Sequence, residues 1–338
     1  MTRRSLFIGV AIGLPTFLIG AALLYAQSIT PKPPFTAADA ERGAKYAAES
    51  LRIRAEIKNM KTPAEPFKIM GNLYFVGVQN GESYLLTSPK GHILFGSAFP
   101  DTVDQIEKNI EAVGFHVKDI KVIVVNHAHQ DQCGGTAELQ KRSGAKVMAG
   151  FAEVPFLENG GRLPPGTSIP NNTPPPAGGG GTYPPVHVDR ALFDGDVVTV
   201  GPLQFTAYLA PGHASSPTSF LYKVKDNGHE YRVLEFCCWE YPDDLSRNTN
   251  ITEAGVRHNL ELFRKLLPID IYLETGAYAW SGTLNQSSGT LLERMAALKK
   301  NNMLFVNPDI FKSWSAAREV EFEQKLIKWK ESNPVYRQ

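Results

Sequence analysis

Cysteine is scarce in this 338-residue chain, which has three, Cys133, Cys237 and Cys238, two of them adjacent. At most one ordinary bridge can form, so a disulfide-stapled scaffold is excluded. An excess of charge of either sign is lacking too. The 35 Lys and Arg stand against 34 Asp and Glu, a net of +1, so there is no basic footprint for nucleic acid and the expected partner is a small molecule. No short repeat is present, and nothing in the sequence sets an oligomeric state. Long apolar runs are limited to one, Leu6 to Ala26, behind the charged start Met1-Thr2-Arg3-Arg4. That pattern is a secretory signal, and at about 20 residues the run is also long enough for an uncleaved membrane anchor. Both readings put the rest of the chain outside the cytoplasm, secreted or membrane-anchored, with membrane contact only through this segment.

What is present is ordinary globular material, 43% hydrophobic and 20% charged, enough for a sizeable core. Three segments follow from the texture: residues 1–26 as signal peptide or anchor, 27–65 as linker and N-terminal helix, and 66–338 as the main domain. The linker carries Thr30-Pro31-Lys32-Pro33-Pro34, and Ala37 to Lys58 suits a surface helix with no expected chemistry. From Phe67 the chain turns to short β-type runs, Tyr74-Phe75-Val76, Ser83 to Leu86 and His92 to Phe95. Helical spacing over Thr102 to Val113 precedes the buried-strand run Val122 to Val125, and a second helix is expected over Thr136 to Ser143. Later strands are expected near Asp196 to Val200, Gln204 to Leu209, Thr218 to Val224, Tyr231 to Phe236 and Ile269 to Leu273. Helices are expected from Thr252 to Leu266 and after Gly289 and Asp309. Two β-rich halves with helices outside imply an α/β fold, a four-layer αββα sandwich. The Gly/Pro-rich stretch from Asn159 to Pro185 is expected as a loop beside the site.

The chemistry is expected in Asn126-His127-Ala128-His129-Gln130-Asp131, where three possible ligands fall at every second position directly after an apolar strand. A third imidazole follows another strand in Pro211-Gly212-His213. Three neutral imidazoles suit a catalytic zinc ion, which keeps a fourth position for water and lowers the pKa of that water toward neutrality. His127, His129, His213 and Asp131 are therefore the expected metal residues. Asp131 is also the expected catalytic group, orienting the water and holding its proton. Taken singly, each histidine is more often structural, a strand cap or a turn residue, and it is their combination that points to a site.

With Gly134-Gly135 after it, this cluster resembles the metallo-β-lactamase superfamily, whose motif reads His-x-His-x-Asp-His. Further stretches look like subclass B3 β-lactamases over roughly residues 62 to 331: Pro66 to Gly77, Tyr183-Pro184-Pro185-Val186, Asp194-Gly195-Asp196 and Pro211-Gly212-His213. The resemblance implies the αββα fold and a hydrolase that opens a cyclic amide or ester, with β-lactam favoured. It makes His127, His129 and His213 the ligands of a first zinc and Asp131 the surviving ligand of a second.

Three departures are visible against that pattern. Gln132 stands where the family's next histidine falls, and a neutral amide is a poor zinc ligand. Gly276, or Glu274 in a shifted alignment, stands at the last histidine. Phe95-Gly96-Ser97 replaces an Asp-Gly-Gly, removing an acidic group from the metal region. One well-formed zinc site is expected, with the second absent or built differently. Cys237 or Cys238 could supply a soft ligand there, or both could be buried apolar residues or bridge to Cys133. Tyr183, Trp239, Tyr278 and Trp280 are weaker candidates to line the pocket. The same fold also hosts lactone and thioester hydrolysis, or a metal-binding pseudoenzyme or binding protein.

Overall fold

The computed structural model describes residues 29–162, 181–210, 212–238, 252–274, 284–286 and 288–332. In chain order the elements are α1 (Ala37–Ala55), β1 (Phe67–Met70), β2 (Leu73–Phe75), β3 (Tyr84–Leu86), β4 (His92–Phe95), α2 (Val103–Ala112), β5 (Ile120–Val125), α3 (Gln130–Cys133), α4 (Thr136–Ser143), β6 (Lys146–Gly150), α5 (Val154–Glu158) and β7 (Arg190–Leu192). The second half adds β8 (Val197–Val200), β9 (Leu203–Leu209), β10 (Thr218–Asp226), β11 (His229–Phe236), α6 (Glu253–Leu266), β12 (Ile271–Glu274), α7 (Leu291–Lys300) and α8 (Pro308–Ser332). The helix starts are chemically marked. Thr36 with Asp39 and Thr290 with Glu293 form capping boxes at α1 and α7, and the Thr252 hydroxyl accepts from Gly255 N at α6.

The strands form a seven-stranded sheet, β1 through β7 in sequence order, and a five-stranded sheet in the order β12-β11-β10-β9-β8. Apolar side chains from the inner faces of both sheets, among them Phe75, Phe95, Phe205, Phe220 and Val233, make one core between them. A second core lies under α2, α4 and α5 against the first sheet, and a third under α6 and α8 against the second. Helix, sheet, sheet, helix is therefore the observed layering, as expected from the sequence. Among the described residues no helix is long and apolar enough to cross a membrane.

The site is positioned by strand ends. Strand β5 is parallel to both β4 and β6 and is apolar on both faces from Val122 to Val125, as a strand covered on both sides must be. His127 comes two residues past its C-terminal end. Strands β11 and β12 are also parallel, with Phe236 opposite Glu274, so Cys237, Cys238 and Glu274 emerge together at the same edge.

One inward residue runs against the core. Glu235 shares a strand face with Val233 by the two-residue period, is 1% exposed, and has no hydrogen-bond partner on either carboxyl oxygen. Burial raises its carboxyl well above the usual range. The native state then holds a proton that the unfolded state releases above about pH 4.3, so stability falls as pH rises through that window. Glu235→Met, which keeps the chain length without a titrating group, is expected to raise Tm by a few degrees at pH 8, at about 2–4 °C per kcal/mol, and by less at pH 5. Thermal melts at the two pH values check this, and an equal gain at both contradicts it.

Candidate metal centre

The structure brings His127, His129 and His213 together. One ring nitrogen from each lies within 4.8 Å of the others, and the ring centroids are 4.5, 4.9 and 4.8 Å apart. His213 Nε2 and His129 Nδ1 stand 3.1 Å apart. Donors on a tetrahedral zinc at 2.0–2.1 Å are spaced about 3.3–3.4 Å, so this pair is close to ligand spacing. His129 is buried, and desolvation, followed by the neighbouring His127 and His213 imidazoles, lowers its pKa to about 3. It is therefore neutral at working pH, the form a metal needs. The three residues fit zinc.

Two buried side chains hold these loops. Glu153, 2% exposed on the turn before α5, accepts from Ala128 N at 2.9 Å between the first two histidines, and also from Ser216 N in the His213 loop. One carboxylate thus ties both ligand loops together. The sequence carries no signal for it, because it is a lone acid in a short helical turn. Tyr183, expected in the pocket lining, is instead a brace: its hydroxyl donates to Ala128 O at 2.9 Å and it is 5% exposed. The described end of the Gly/Pro-rich loop does sit beside the site, with Gln130 Nε2 donating to Thr182 O. Residues 163–180 of that loop lie outside the described residues, as do Pro211, Trp239, Gly276, Tyr278 and Trp280. Glu153→Ala is expected to weaken zinc binding about 10–100-fold while the histidines remain, the usual cost of losing an orienting partner. Competition with a chelator of known affinity measures it.

The acid missing from Phe95-Gly96-Ser97 is supplied from elsewhere. A Cβ on Gly96 would stand 2.9 Å from Cγ of Glu82 and 3.4 Å from its Oε1, so the Glu82 side chain fills the space over that glycine. Asn126, the residue before His127, donates to Glu82 Oε1. The expectation that this region lacks an acidic group is thereby corrected. Burial first, then the nearby Glu235, Cys238 and Asp131, push the Glu82 carboxyl up. Glu82 precedes β3 and Gly96 follows β4, so the two are 14 residues apart in the chain and only the fold brings them together.

Asp131 lines the same cavity as the histidines and accepts from Gln132 Nε2 at 3.1 Å, but it is in neither group of mutually close donor atoms. The other group is His127, Cys237 and Cys238. His127 Nδ1 is 3.2 Å from Cys237 Sγ and 3.7 Å from Cys238 Sγ, and the Cys237 thiol donates to Cys238 Sγ at 2.8 Å. All three cysteines are free, and Cys133 donates to His129 O instead of bridging. The adjacent pair is therefore placed at the metal centre and not in a bridge to Cys133. Burial opposes ionisation of Cys238, but donation from Cys237 and the His127 and His213 imidazoles hold its thiol well below the usual range.

The centre opens into a cavity of about 740 Å³, within the range of small-molecule sites. Its far wall was not legible as such: Tyr46, Ser50 and Arg54 of α1 line it, with Trp314, Arg318 and Glu321 of α8. The helix expected as chemically silent surface is thus part of the cavity. Gly43 lets α1 lie directly on the α8 backbone, since a Cβ there would be 1.9 Å from Ser313 O.

Residues 76–226 match the family model described as the metallo-beta-lactamase superfamily. Over these residues the fold is that of the metallo-beta-lactamase superfamily. Among the similar solved structures, two are described as subclass B3 metallo-beta-lactamases. A subclass B3 metallo-beta-lactamase of Bradyrhizobium japonicum is 28% identical, with 81% of this chain and 98% of that chain covered and a TM-score of 0.63. A subclass B3 metallo-beta-lactamase from a soil metagenome library is 27% identical, covering 81% and 100%, with a TM-score of 0.66. A Cronobacter sakazakii metallo-beta-lactamase described by its HARLDQ motif is 27% identical, covering 80% and 97%, with a TM-score of 0.67.

Proposed function

We propose that this protein is a zinc-dependent hydrolase that opens a cyclic amide or ester, with β-lactams as the favoured substrate class. The observation that carries the reading is the convergence of three imidazoles at the head of a cavity of small-molecule size. Zinc, when bound, supplies a Lewis acid and a water of lowered pKa. His127, His129 and His213 hold it. Asp131, on the cavity wall, orients the attacking water and takes its proton. Glu153 keeps the two ligand loops in register.

The HARLDQ motif of the Cronobacter sakazakii protein supports an enzyme over a pseudoenzyme. Set against His127-Ala128-His129-Gln130-Asp131-Gln132 it agrees at the first, second, fifth and sixth letters. Glutamine after the aspartate thus also occurs in a protein named a metallo-beta-lactamase. We assign one full zinc site, with any second metal weakened by Gln132. Export or membrane tethering is supported by the apolar run from Leu6 to Ala26.

A panel of β-lactams, lactones and thioesters, assayed with zinc and with chelator, tests the reading. Zinc-dependent turnover of at least one class is the expected result. Metal binding without turnover of any class would make the chain a metal-binding pseudoenzyme or binding protein.

A further inference from the structure

Glu274 ends β12 at the edge where Cys237 and Cys238 leave β11, with its backbone opposite Phe236. It lines the cavity that contains the three histidines, yet it belongs to neither group of metal donors. Its Oε1 accepts from the Tyr272 hydroxyl at 2.8 Å, and its backbone carbonyl accepts from the Tyr84 hydroxyl at 3.3 Å. The position is thus fixed by two buried phenols, and the residue is half-buried in the cavity wall. An anchored carboxyl that lines this cavity but stands outside the close donor groups is placed to act on a bound molecule instead of on the metal.

We propose that Glu274 is the proton donor to the leaving atom, a role that rests on the hydrolase reading above. As water oxygen bonds to the carbonyl carbon, the bond from that carbon to nitrogen or oxygen breaks and its electron pair goes to the leaving atom. The Glu274 carboxyl gives that atom its proton. The carboxylate then recovers a proton originating from the attacking water, so the net change is addition of one water. Amides need this help most, because an unprotonated amide nitrogen is a very poor leaving group.

The surroundings suit a carboxyl that keeps its proton near neutrality. Burial raises its pKa to about 7, against the opposing effects of Tyr272 donation and of Arg318, while Cys238 adds to the rise and Arg54 lowers it. From the packed elements the groups facing it are Arg54 on α1, Arg318 on α8, Cys238 after β11, Tyr84 on β3 and Tyr272 on β12, with Glu321 of α8 on the same cavity wall.

Glu274→Gln keeps the shape and an acceptor for Tyr272 but has no proton to give. The expected result is unchanged zinc content, a loss of about 10²-fold or more in kcat/KM on a substrate with a poor amine leaving group, and less than about 3-fold on an activated aryl ester. The fall in rate above about pH 7 should also vanish in the variant. An equal loss on both substrates, or a retained alkaline limb, overturns the proposal, and lost zinc would make Glu274 a ligand instead. A separate reading does not need turnover: the carboxyl C=O infrared band that Glu274→Gln removes should titrate near pH 7. If that band titrates at an ordinary carboxylate pH, the proposal fails even where the hydrolase reading stands. If the band titrates near 7 but nothing is hydrolysed, it is the hydrolase reading that fails, and the donor role falls with it.

Discussion

His129→Ala is expected to reduce zinc-dependent turnover by at least about 10³-fold, equivalent to about 4 kcal/mol of barrier, and to cut zinc affinity by more than about 10²-fold. The comparison that sets the scale is an orienting partner, whose loss alone costs 10–100-fold. His129 is one of only three imidazoles in the donor group and is 7% exposed, so no surface side chain can swing in to replace it. Because its imidazole is neutral at pH 7, its removal strands no buried charge. The apo form of the variant should therefore melt near the wild-type apo temperature. Metal analysis beside the hydrolysis assay checks both halves. A variant that keeps its zinc and its rate would remove His129 from the centre.

The second large effect is expected at a position with no functional group. Gly43 sits where α1 touches α8, with Ser313 O and C at 1.9 and 2.5 Å from any added Cβ and Ala317 Cβ at 2.9 Å. Two of these are backbone atoms and cannot rotate away. Gly43→Val must push the helices apart, at a cost of about 3 kcal/mol or more by overpacking, against an intrinsic helix gain of under 1 kcal/mol for losing glycine. The same movement displaces Tyr46, Ser50 and Arg54 from the cavity wall. The expected phenotype is a Tm lower by roughly 6–12 °C at 2–4 °C per kcal/mol, together with a raised KM and unchanged zinc content. Gly43→Val with wild-type Tm and KM would mean that α1 is not part of the cavity in solution.

Legibility in the sequence followed the range of the interactions. Helices α2, α4 and α6 and strands β5 and β10 were readable because periodicity and capping are local, as Thr252 before α6 illustrates. Two of the cluster's ligands, His127 and His129, were readable for the same reason, alternating along one extended segment. The αββα layering also followed from order and composition. What stayed hidden depends on contacts between distant segments. Glu153 joins loops 25 and 63 residues away, and Glu82, before β3, covers Gly96, just past β4. Both are single acids with no neighbouring pattern, so only the folded chain gives them a role. Helix α1 read as surface because its charges are real, for example Lys45 with Glu41 and Arg52 with Glu56, but its other face carries Gly43 against α8 and Tyr46 toward the cavity. Cys237 and Cys238 looked like core residues by composition, and the turn after β11, with Cys238 at φ +42°, is what aims them at His127.

Those thiols and the loss at Gln132 bear on how many metals the site holds, and one measurement decides it most directly. Zinc titrated calorimetrically into metal-stripped protein should show a single tight equivalent that disappears in His129→Ala and persists in Cys238→Ser. Two equivalents of similar tight affinity, or one equivalent that survives His129→Ala, would contradict a centre built on His127, His129 and His213.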